Sequence, residues 1–447
     1  MSDAHSSPLR VLVFAIGSLG DASPLYLIAR ELGRRGHEVI LVALPGFEKD
    51  PGDQFEVVIA PPDLGSGLAA AQEVSTFLSR TWMGRSYLSW RSFLPLLLRR
   101  TRWIHAFVKM RHAPRRTVVL ARSGLFGARI ARESLDVRLV TVHHTPAALR
   151  SRYESFVLPV PAGANVTLRF VRDLLWRGMD GYLGSWLRSP LNAYRRDLTL
   201  PPIRRLFDKW AFSPDLNLAL FPEWFARPQV DWPFNTRCAG FPIPEDRPSN
   251  HLSSAVLSFL DNARPFVVFT RGSHSGAGAV FFRMARAVCR QNGFRGLILG
   301  VAPGSVPEHS HPSVLQVEFA PLASVLLKAS VLVHHGGVGT CALAFQAGVP
   351  QFIIPGIGDQ WEQARRVARL GCGIYLHPNR LSTANLTIGL LKLMGDQVTR
   401  ARCAHIAGDF RNDGIANAAL LVEAFGRETQ STIPGTLAPS VRGDVDT

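Results

Sequence analysis

Cysteine is scarce in this chain and occurs in no pattern that would form disulfides or bind zinc. The five cysteines stand far apart, with no Cys-x-x-Cys or paired Cys/His spacing between them. Disulfide frameworks and structural zinc sites need such spacings, so neither is expected. No apolar run reaches the roughly 18 residues of a membrane-spanning helix. The N-terminal MSDAHSSPLR also lacks the cationic region of a secretory signal, and a cytoplasmic protein is therefore expected.

Acidic residues are absent from Val74 to Arg132, although the stretch is rich in arginine, and the chain carries a net charge of +16. In TWMGRSYLSWRSFLPLLLRRTRWIHAFVKMRHAPRR, arginines alternate with Trp, Phe and Leu. This pattern suits an anionic membrane surface or a long apolar substrate, and solvated helices are the alternative. Residues 80–116 are therefore candidates for peripheral membrane contact. No nucleic-acid recognition module is visible, so nucleic acid is not an expected partner.

Short apolar runs alternate with helical patterns along the chain. The first-half strands are predicted at Val11–Ile16, Glu38–Ala43, Phe55–Ala60, Thr117–Leu120, Val137–His143 and Leu216–Phe221. The second-half strands are predicted at Pro265–Thr270, Gly296–Gly300, Val314–Phe319, Ser330–His334, Gln351–Ile354 and Gly373–Leu376. Strands alternating with helices predict an α/β protein with two Rossmann-like, doubly wound parallel sheets.

The domain boundary is indicated by GFPIPEDRPSNH, in which prolines and polar residues separate the two strand sets. We predict a first domain over 1–240, a linker over 241–250, a second domain over 251–426 and a disordered tail over 427–447.

One turn has the strongest features of an anion site. In SVLVHHGGVGTCALAFQAGVPQFIIP a strand runs into a glycine-rich turn and then a helix, predicted at Cys341–Ala347. Glycine amides approach an oxyanion closely, the helix dipole favours negative charge, and His334 and Thr340 can donate to phosphate oxygens. The turn lacks the lysine of a Walker loop and the ribose-binding acid of a dinucleotide fingerprint. A plain turn with structural histidines is the alternative.

Two further turns follow predicted strands of the second half. VVFTRGSHSGAG supplies Ser273 as another phosphate contact, or is only a flexible loop. PGIGDQWEQARRVARLG supplies Asp359 and Gln360, whose acceptors and donors suit sugar hydroxyls. Asp359 and Glu362 also predict a capping box for the helix that follows.

The turn GSLGDASP near the N-terminus holds two glycines and Asp21, more than a chain reversal needs. Ser23 followed by Pro24 predicts the start of a helix, which would leave Asp21 free of capping. A carboxylate at the end of a strand is well placed as a general base towards an acceptor hydroxyl. A plain turn aspartate is the alternative.

These motifs resemble those of a known family. HHGGVGT with AGVPQFIIPGIGDQWEQARRVARLGCG resembles the donor-site signature of family-1 glycosyltransferases of the GT-B fold, and GSLGDASPL resembles the acceptor-side loop of their bacterial branch. The resemblance implies two Rossmann-like domains facing a cleft and an inverting sugar transfer from a nucleotide sugar.

A closer resemblance, through AIGSLGDASPLYLIARELGRRGHEV, ALFPEWFARPQVDWP, GFPIPED and RPFVVFTRGS, is to the rhamnosyltransferase B subunit of rhamnolipid synthesis. It implies dTDP-L-rhamnose as donor and a 3-(3-hydroxyalkanoyloxy)alkanoate as acceptor. At His335 and Thr340 the chain follows the broader family instead, which leaves the donor sugar open.

The resemblance implies a role for each matching residue. Asp21 is expected to be the catalytic base, and Asp359 and Gln360 are expected to hold the sugar. The diphosphate is expected at Ser273, His334, Gly336, Gly337, Val338, Gly339 and Thr340. The nucleobase is expected at Val317 and Phe319, and the acceptor at Ser18, His143 and His144. No metal and no cofactor besides the nucleotide sugar is expected.

Three other functions fit parts of the pattern. The first is a UDP-glucose-dependent transferase acting on a sterol, carotenoid or polyketide. The second is a GT-B-like sugar-nucleotide epimerase, which would need further carboxylates facing the sugar. The third is a noncatalytic sugar-nucleotide-binding protein.

Overall fold

The computed structural model describes residues 7–64, 86–135, 137–154, 169–244, 252–262, 264–271, 278–300, 312–356 and 358–428. Within these ranges the chain forms two parallel sheets with helices on both faces, as the alternation of apolar runs predicts. Most of the expected linker and almost all of the expected tail lie outside the described residues.

The first sheet has seven parallel strands in the order β3-β2-β1-β4-β5-β6-β7. They are β1 (Arg10–Ala15), β2 (Glu38–Ala43), β3 (Glu56–Ile59), β4 (Thr117–Arg122), β5 (Arg138–His143), β6 (Leu216–Ala219) and β7 (Thr236–Cys238). Its helices are α1 (Leu19–Arg34), α2 (Ser86–Arg111), α3 (Phe126–Ser134) and α4 (Arg169–Asp197). The reversal of strand order between β1 and β4 opens a crevice at their carboxyl ends, where α/β proteins bind ligands.

The second sheet has six parallel strands in the order β10-β9-β8-β11-β12-β13. They are β8 (Phe266–Thr270), β9 (Arg295–Leu299), β10 (Val314–Val317), β11 (Val331–His334), β12 (Gln351–Ile353) and β13 (Gly373–Tyr375). Its helices are α5 (Ser254–Leu260), α6 (Gly278–Asn292), α7 (Leu322–Leu326), α8 (Val338–Gln346), α9 (Gln360–Arg369), α10 (Thr383–Gly395) and α11 (Gln397–Asp409). Here the order reverses between β8 and β11, so the crevice lies beside the glycine-rich turn.

The twelve predicted strands are confirmed, with ends shifted by one or two residues in most cases. Central strands are buried on both faces, and their side chains are therefore continuously apolar and easy to recognise. Strand β7 was not predicted, because its three residues at the sheet edge, Thr-Arg-Cys, carry no apolar run. The described cysteines are free, as expected.

The last helix, α12 (Gly414–Glu428), crosses back to the first sheet. Ala418, Ala419 and Val422 are buried in the same apolar cluster as Val11 and Leu25. Residues 414–426, assigned from the sequence to the second domain, therefore complete the core of the first. The sequence could not reveal this, because an amphipathic helix does not show which sheet it covers.

The chain passes between the two domains twice, once after β7 and once before α12, and these two segments are in contact. Gly240, with φ of +101°, lies against Gly414, and a Cβ atom on Gly414 would lie 2.2 Å from the carbonyl oxygen of Phe241. That distance is too short for any side chain. Backbone therefore packs directly on backbone where the chain leaves the first domain and where it returns.

An apolar cluster and a buried arginine join the two halves. The Trp224 ring from the first half lies 5.3 Å from the Phe345 ring of α8, centroid to centroid. Arg366 of α9 is buried and donates to the carboxylate of Glu154 and, at 3.1 Å, to the carbonyl of Phe225, both in the first half. These contacts hold the ends of α8 and α9 against the first domain.

The basic stretch forms most of α2. Several of its arginines have partners within the protein: Arg100 donates to the carbonyl of Leu64, Arg102 lies over the Tyr194 ring, and Arg111 pairs with Glu56. Membrane contact by this stretch stays a prediction. None of the helices in the described ranges has an apolar stretch that could cross a bilayer.

Candidate active site

The N-terminal turn is organised around the Asp21 carboxylate. Helix α1 begins at Leu19 with Ser18 as its N-cap, and Asp21 is therefore the third helical residue. Its Oδ2 accepts hydrogen bonds from the backbone N of Ser18 at 3.1 Å and from the Ser18 Oγ at 2.9 Å. The prediction that Ser23 and Pro24 start the helix is wrong, because Ser18 and Asp21 cap the chain first.

Asp21 also forms an ion pair that the sequence did not indicate. Arg122, the last residue of β4, places its Nη1 2.7 Å from Asp21 Oδ2. Burial opposes ionisation of Asp21, but Arg122, His144 and the Ser18 hydrogen bonds outweigh it and lower the pKa of Asp21 below its usual value. The carboxylate is therefore charged at neutral pH. Strands β1 and β4 are adjacent, which is why these two ends meet.

Gly17 makes room for this pair. A Cβ atom on Gly17 would lie 2.8 Å from Asp21 Oδ2 and 3.1 Å from Arg122 Nη1. Gly20, in contrast, has only the Ser18 Oγ within 4 Å of such an atom. The first glycine of the turn is thus required by the ion pair, and the second is not.

The two adjacent histidines after β5 have different surroundings. Burial and the charge of Arg122 lower the pKa of His144 to about 3, although nearby Asp21 opposes this shift, and His144 is therefore neutral at physiological pH. His143 is also buried, and its Nε2 lies 3.0 Å from Oδ1 of Asn217 in the sheet. Its contact with an acceptor stays a prediction, and Asn217 already engages one ring nitrogen. Neighbouring residues at a strand end point to opposite sides, and only one of this pair can face the crevice.

The glycine-rich turn of the second domain forms an open helix N-terminus. Gly336 has φ of +93°, a conformation that favours glycine, and Gly337 is the N-cap of α8. Helix α8 begins at Val338, three residues before its predicted start, so the amides of Val338 to Thr340 belong to its first turn. First-turn amides have no partner inside the helix and can bind an anion.

His334 holds this turn from inside the protein. The side chain is completely buried, its Nδ1 accepts from the N–H of Gly336 at 3.2 Å, and its Nε2 lies 3.1 Å from Gln351 Oε1. Both ring nitrogens are engaged, so the structure does not support direct donation from His334 to phosphate. Burial and His335 lower the pKa of His334 to about 3, which keeps the ring neutral and fixes Nε2 as the donor to Gln351.

The turn before α9 brings a second carboxylate into the crevice. Asp359 is the N-cap residue, but its side chain makes no capping hydrogen bond. The predicted capping box is wrong, since Glu362 bonds to Arg366 instead. Gln360 Oε1 accepts from the N–H of Gly356 at 2.8 Å, which orients its amide. A Cβ atom on Gly336 would lie 3.0 Å from the Gln360 carbonyl, so the two donor-side turns are in contact.

The carboxylates of Asp21 and Asp359, one from each domain, interact electrostatically. Burial and the charge of Asp21 raise the pKa of Asp359, while Arg122 lowers it. Asp21, the expected base, and Asp359, the expected sugar-binding residue, therefore lie within electrostatic range of each other. Arg122 lowers the pKa of both carboxyl groups.

The expected nucleobase position is open at the surface. Phe319 is 75% exposed and follows β10, whereas Val317 at the end of β10 is partly buried. An exposed ring at a strand end can stack on a flat base. Ser273 lies outside the described residues, so its predicted contact is not located.

Comparison with known proteins agrees with this architecture. Residues 301–417 match the family model of the erythromycin biosynthesis protein CIII-like C-terminal domain. The chain is 28% identical to glycosyltransferase GtfE of Amycolatopsis orientalis, over 95% of this chain and 100% of that protein. The chain therefore has the GT-B fold, and the relatives that it matches are glycosyltransferases. Among solved structures it is similar to the calicheamicin glycosyltransferase CalG4, with a TM-score of 0.70 and 19% identity over 95% and 100% of the two chains.

A second similar structure is the spinosyn rhamnosyltransferase SpnG complexed with thymidine diphosphate. The TM-score is 0.61 and the identity 16%, over 93% of this chain and 99% of that one. At these identities the two solved structures establish the shared fold. The site residue that the sequence did not indicate is Arg122. A lone arginine at the end of a strand gives no signal until the strand order is known.

Proposed function

We propose that this glycosyltransferase moves a hexosyl group from a nucleotide sugar to the hydroxyl of a hydrophobic acceptor, with inversion, by a single in-line displacement. The observation that carries the proposal is the Asp21 carboxylate, which Arg122 holds at 2.7 Å and which lies in electrostatic range of Asp359 and of the second-domain turns at the N-terminus of α8. A base, a sugar-binding carboxylate and an anion site are the three parts that this reaction needs.

The nucleoside diphosphate gains charge as it leaves. In our proposal the first-turn amides of α8 and the Thr340 hydroxyl stabilise that charge, with the helix dipole aligned in the same sense. His334 contributes indirectly by holding Gly336. No metal takes part in this scheme. Asp359 and Gln360 bind hydroxyls of the sugar and fix its orientation.

Asp21 takes the acceptor proton. An aspartate with a depressed pKa cannot deprotonate an alcohol in advance, so proton transfer has to accompany the attack of the oxygen on the anomeric carbon. The acceptor O–C bond forms while the bond from the anomeric carbon to the phosphate oxygen breaks. Exclusion of water from the crevice protects the donor from hydrolysis.

For the substrates, we propose dTDP-L-rhamnose as donor and a 3-(3-hydroxyalkanoyloxy)alkanoate or a similar lipid-like molecule as acceptor. The sequence resemblance to rhamnolipid enzymes supports this choice, and the thymidine diphosphate bound by the similar SpnG structure is in keeping with a dTDP donor. A cavity of about 40 Å³ lies between α2 and the turn after Arg122, which is room for a water molecule or two and not for an acceptor chain. Its walls are Leu97, Arg100, Thr101, Ile104, Gly124, Leu125 and Phe126.

The main alternative is a UDP-glucose-dependent transferase acting on another hydrophobic acceptor. His335 and Thr340, which follow the broader family, favour it. An epimerase is less well supported, because Glu362, the nearest further carboxylate in the sequence, is paired with Arg366 and not directed at a sugar.

A product assay tests the proposal. Purified protein is given dTDP-L-rhamnose and UDP-glucose in parallel, with the hydroxyalkanoyloxyalkanoate as acceptor, and products are identified by mass spectrometry. A rhamnosylated lipid is the expected result. A glucosylated product would establish the alternative donor. Donor hydrolysis without a lipid product would reject the acceptor, and neither transfer nor hydrolysis would favour the noncatalytic binding protein.

Replacing Phe319 with Ala should weaken donor binding and leave stability unchanged. Stacking of a base on an aromatic ring contributes about 1–3 kcal/mol, so we expect the KM for the donor to rise by roughly 5- to 100-fold. The exposed ring buries little surface, so Tm should not move. Phe234→Ala is the matched control, since Phe234 is 91% exposed in the first domain. Equal KM values of Phe319→Ala and Phe234→Ala for the donor would show that Phe319 does not contact the donor.

A further inference from the structure

Arg122 stands where the two chemically active carboxylates meet. It ends β4, beside the turn that carries Asp21, and its side chain is 37% exposed to the crevice region while paired at 2.7 Å. It acts electrostatically on Asp359, on His143 and on His144 as well. An ion pair that served only stability could lie anywhere on the surface, whereas this one lies beside the titratable groups of the crevice.

The contacts of the Asp21 carboxylate are all made on one side. Among the described residues, Arg122 Nη1, the Ser18 backbone N and the Ser18 Oγ all reach Oδ2. The remaining oxygen, Oδ1, receives none of these donors. Three donors on one oxygen fix the plane of the carboxylate and leave the other oxygen for an incoming hydroxyl.

The charges around Asp21 come from both domains. His144, behind it on the first domain, is neutral at physiological pH, and Ser18 contributes hydrogen bonds without charge. Asp359 of the second domain lies within electrostatic range of Asp21, whose charge helps to raise the pKa of Asp359. Among the described groups facing Asp21, Arg122 is thus the cation that offsets the repulsion between the two carboxylates.

We propose that Arg122 is the positioning residue of the catalytic base. It holds Asp21 by Oδ2 so that Oδ1 takes the acceptor proton. The inference rests on the proposed function, since it assigns a partner to the base named there. Arg122 itself does not touch the reacting atoms.

Loss of the guanidinium charge should raise the pKa of Asp21. An opposite charge within about 4–6 Å typically lowers a carboxyl pKa by about 1–3 units, and Asp359 would then act without opposition. The acid limb of kcat/KM against pH should therefore move upward by about one to two pH units in Arg122→Gln. Arg122→Lys keeps the charge and should retain a profile close to that of the wild type.

The experiment measures kcat/KM between pH 4.5 and 9 with glycosyl transfer, or donor hydrolysis, as the readout. Arg111→Gln is the matched control, because Arg111 is 35% exposed and paired with Glu56 away from the crevice. We expect the acid limb to move in Arg122→Gln and to stay in place in Arg111→Gln and Arg122→Lys. Superimposable profiles for Arg122→Gln and the wild type would overturn the proposal.

A second measurement works without activity and separates the two hypotheses. Because pairing lowers the pKa of Asp21, its stabilisation is complete above the unfolded pKa of about 3.9 and fades as the pH falls through the folded pKa. Arg122→Gln should therefore lower Tm at pH 7, by less only once the pH falls below about 4, and hardly at all in an Asp21→Asn background. Equal Tm effects in both backgrounds would overturn the pairing. A third outcome is possible: Arg122→Gln lowers Tm only when Asp21 is present, but Asp21→Asn is fully active. The ion pair would then exist, Asp21 would not be the base, and Arg122 would have no role in catalysis.

Discussion

Replacing Asp21 with Asn should lower glycosyl transfer by at least about 10²-fold, the usual effect of losing a general base. The amide keeps the shape of the carboxylate, but it cannot take the proton from the acceptor hydroxyl. The donor site in the other domain is unchanged, so donor binding should stay within a few-fold of the wild type. Turnover by product formation and donor affinity by calorimetry check the two halves of this expectation.

Asp409→Asn provides the control for Asp21→Asn. Asp409 is an exposed aspartate near the end of α11, where it faces His405 and no group of the crevice. The same change of one atom there should leave turnover as it is. If Asp21→Asn retained wild-type turnover, Asp21 would be a capping residue only and the base would have to be sought elsewhere.

Gly17→Ala should reduce transfer by about 10- to 100-fold while Asp21 is still present. The added methyl group would lie 2.8 Å from Asp21 Oδ2, a contact that forces the carboxylate, Arg122 or the turn to move. Displacements of about 1 Å at a reacting group can cost 10²-fold in rate. The effect should appear in kcat, since the donor-binding turn belongs to the other domain.

Gly20→Ala separates this steric effect from a general effect of losing a glycine. Gly20 is an exposed residue in the first turn of the same helix, and nothing but the Ser18 Oγ comes within 4 Å of its added methyl group. Alanine is the better helix former by about 1 kcal/mol, so Gly20→Ala should be active and at least as stable as the wild type. Similar losses of activity in the two variants would mean that Gly17 has no special relation to the ion pair.

The fold could be predicted from the sequence because its signals are local. An apolar run such as Glu38–Ala43 needs no knowledge of distant residues to be identified as a buried strand, and it was placed to the residue. The start of α1 was harder. Two possible helix caps, Ser18 with Asp21 and Ser23 with Pro24, lie within six residues of each other. Which of them caps the helix depends on the hydrogen bonds that each can make in the folded turn.

The electrostatic partners in the site could not be predicted in this way. Arg122 lies 101 residues from Asp21 in the chain, and the two meet only because β4 inserts beside β1. For His334 the position in the turn could be predicted from the sequence, but its role could not. Its sequence motif identified the turn correctly, but only the burial of the ring and its bond to Gln351 show that it supports the turn from within.

The contact between Gly240 and Gly414 limits how the two halves can move. Both covalent connections between the sheets pass through this one point, where backbone touches backbone. Two tethers at a single point allow rotation about it but resist separation and sliding. The crevice should therefore open and close by rotation about this crossing, and the distance between Asp21 and Asp359 should change with the hinge angle.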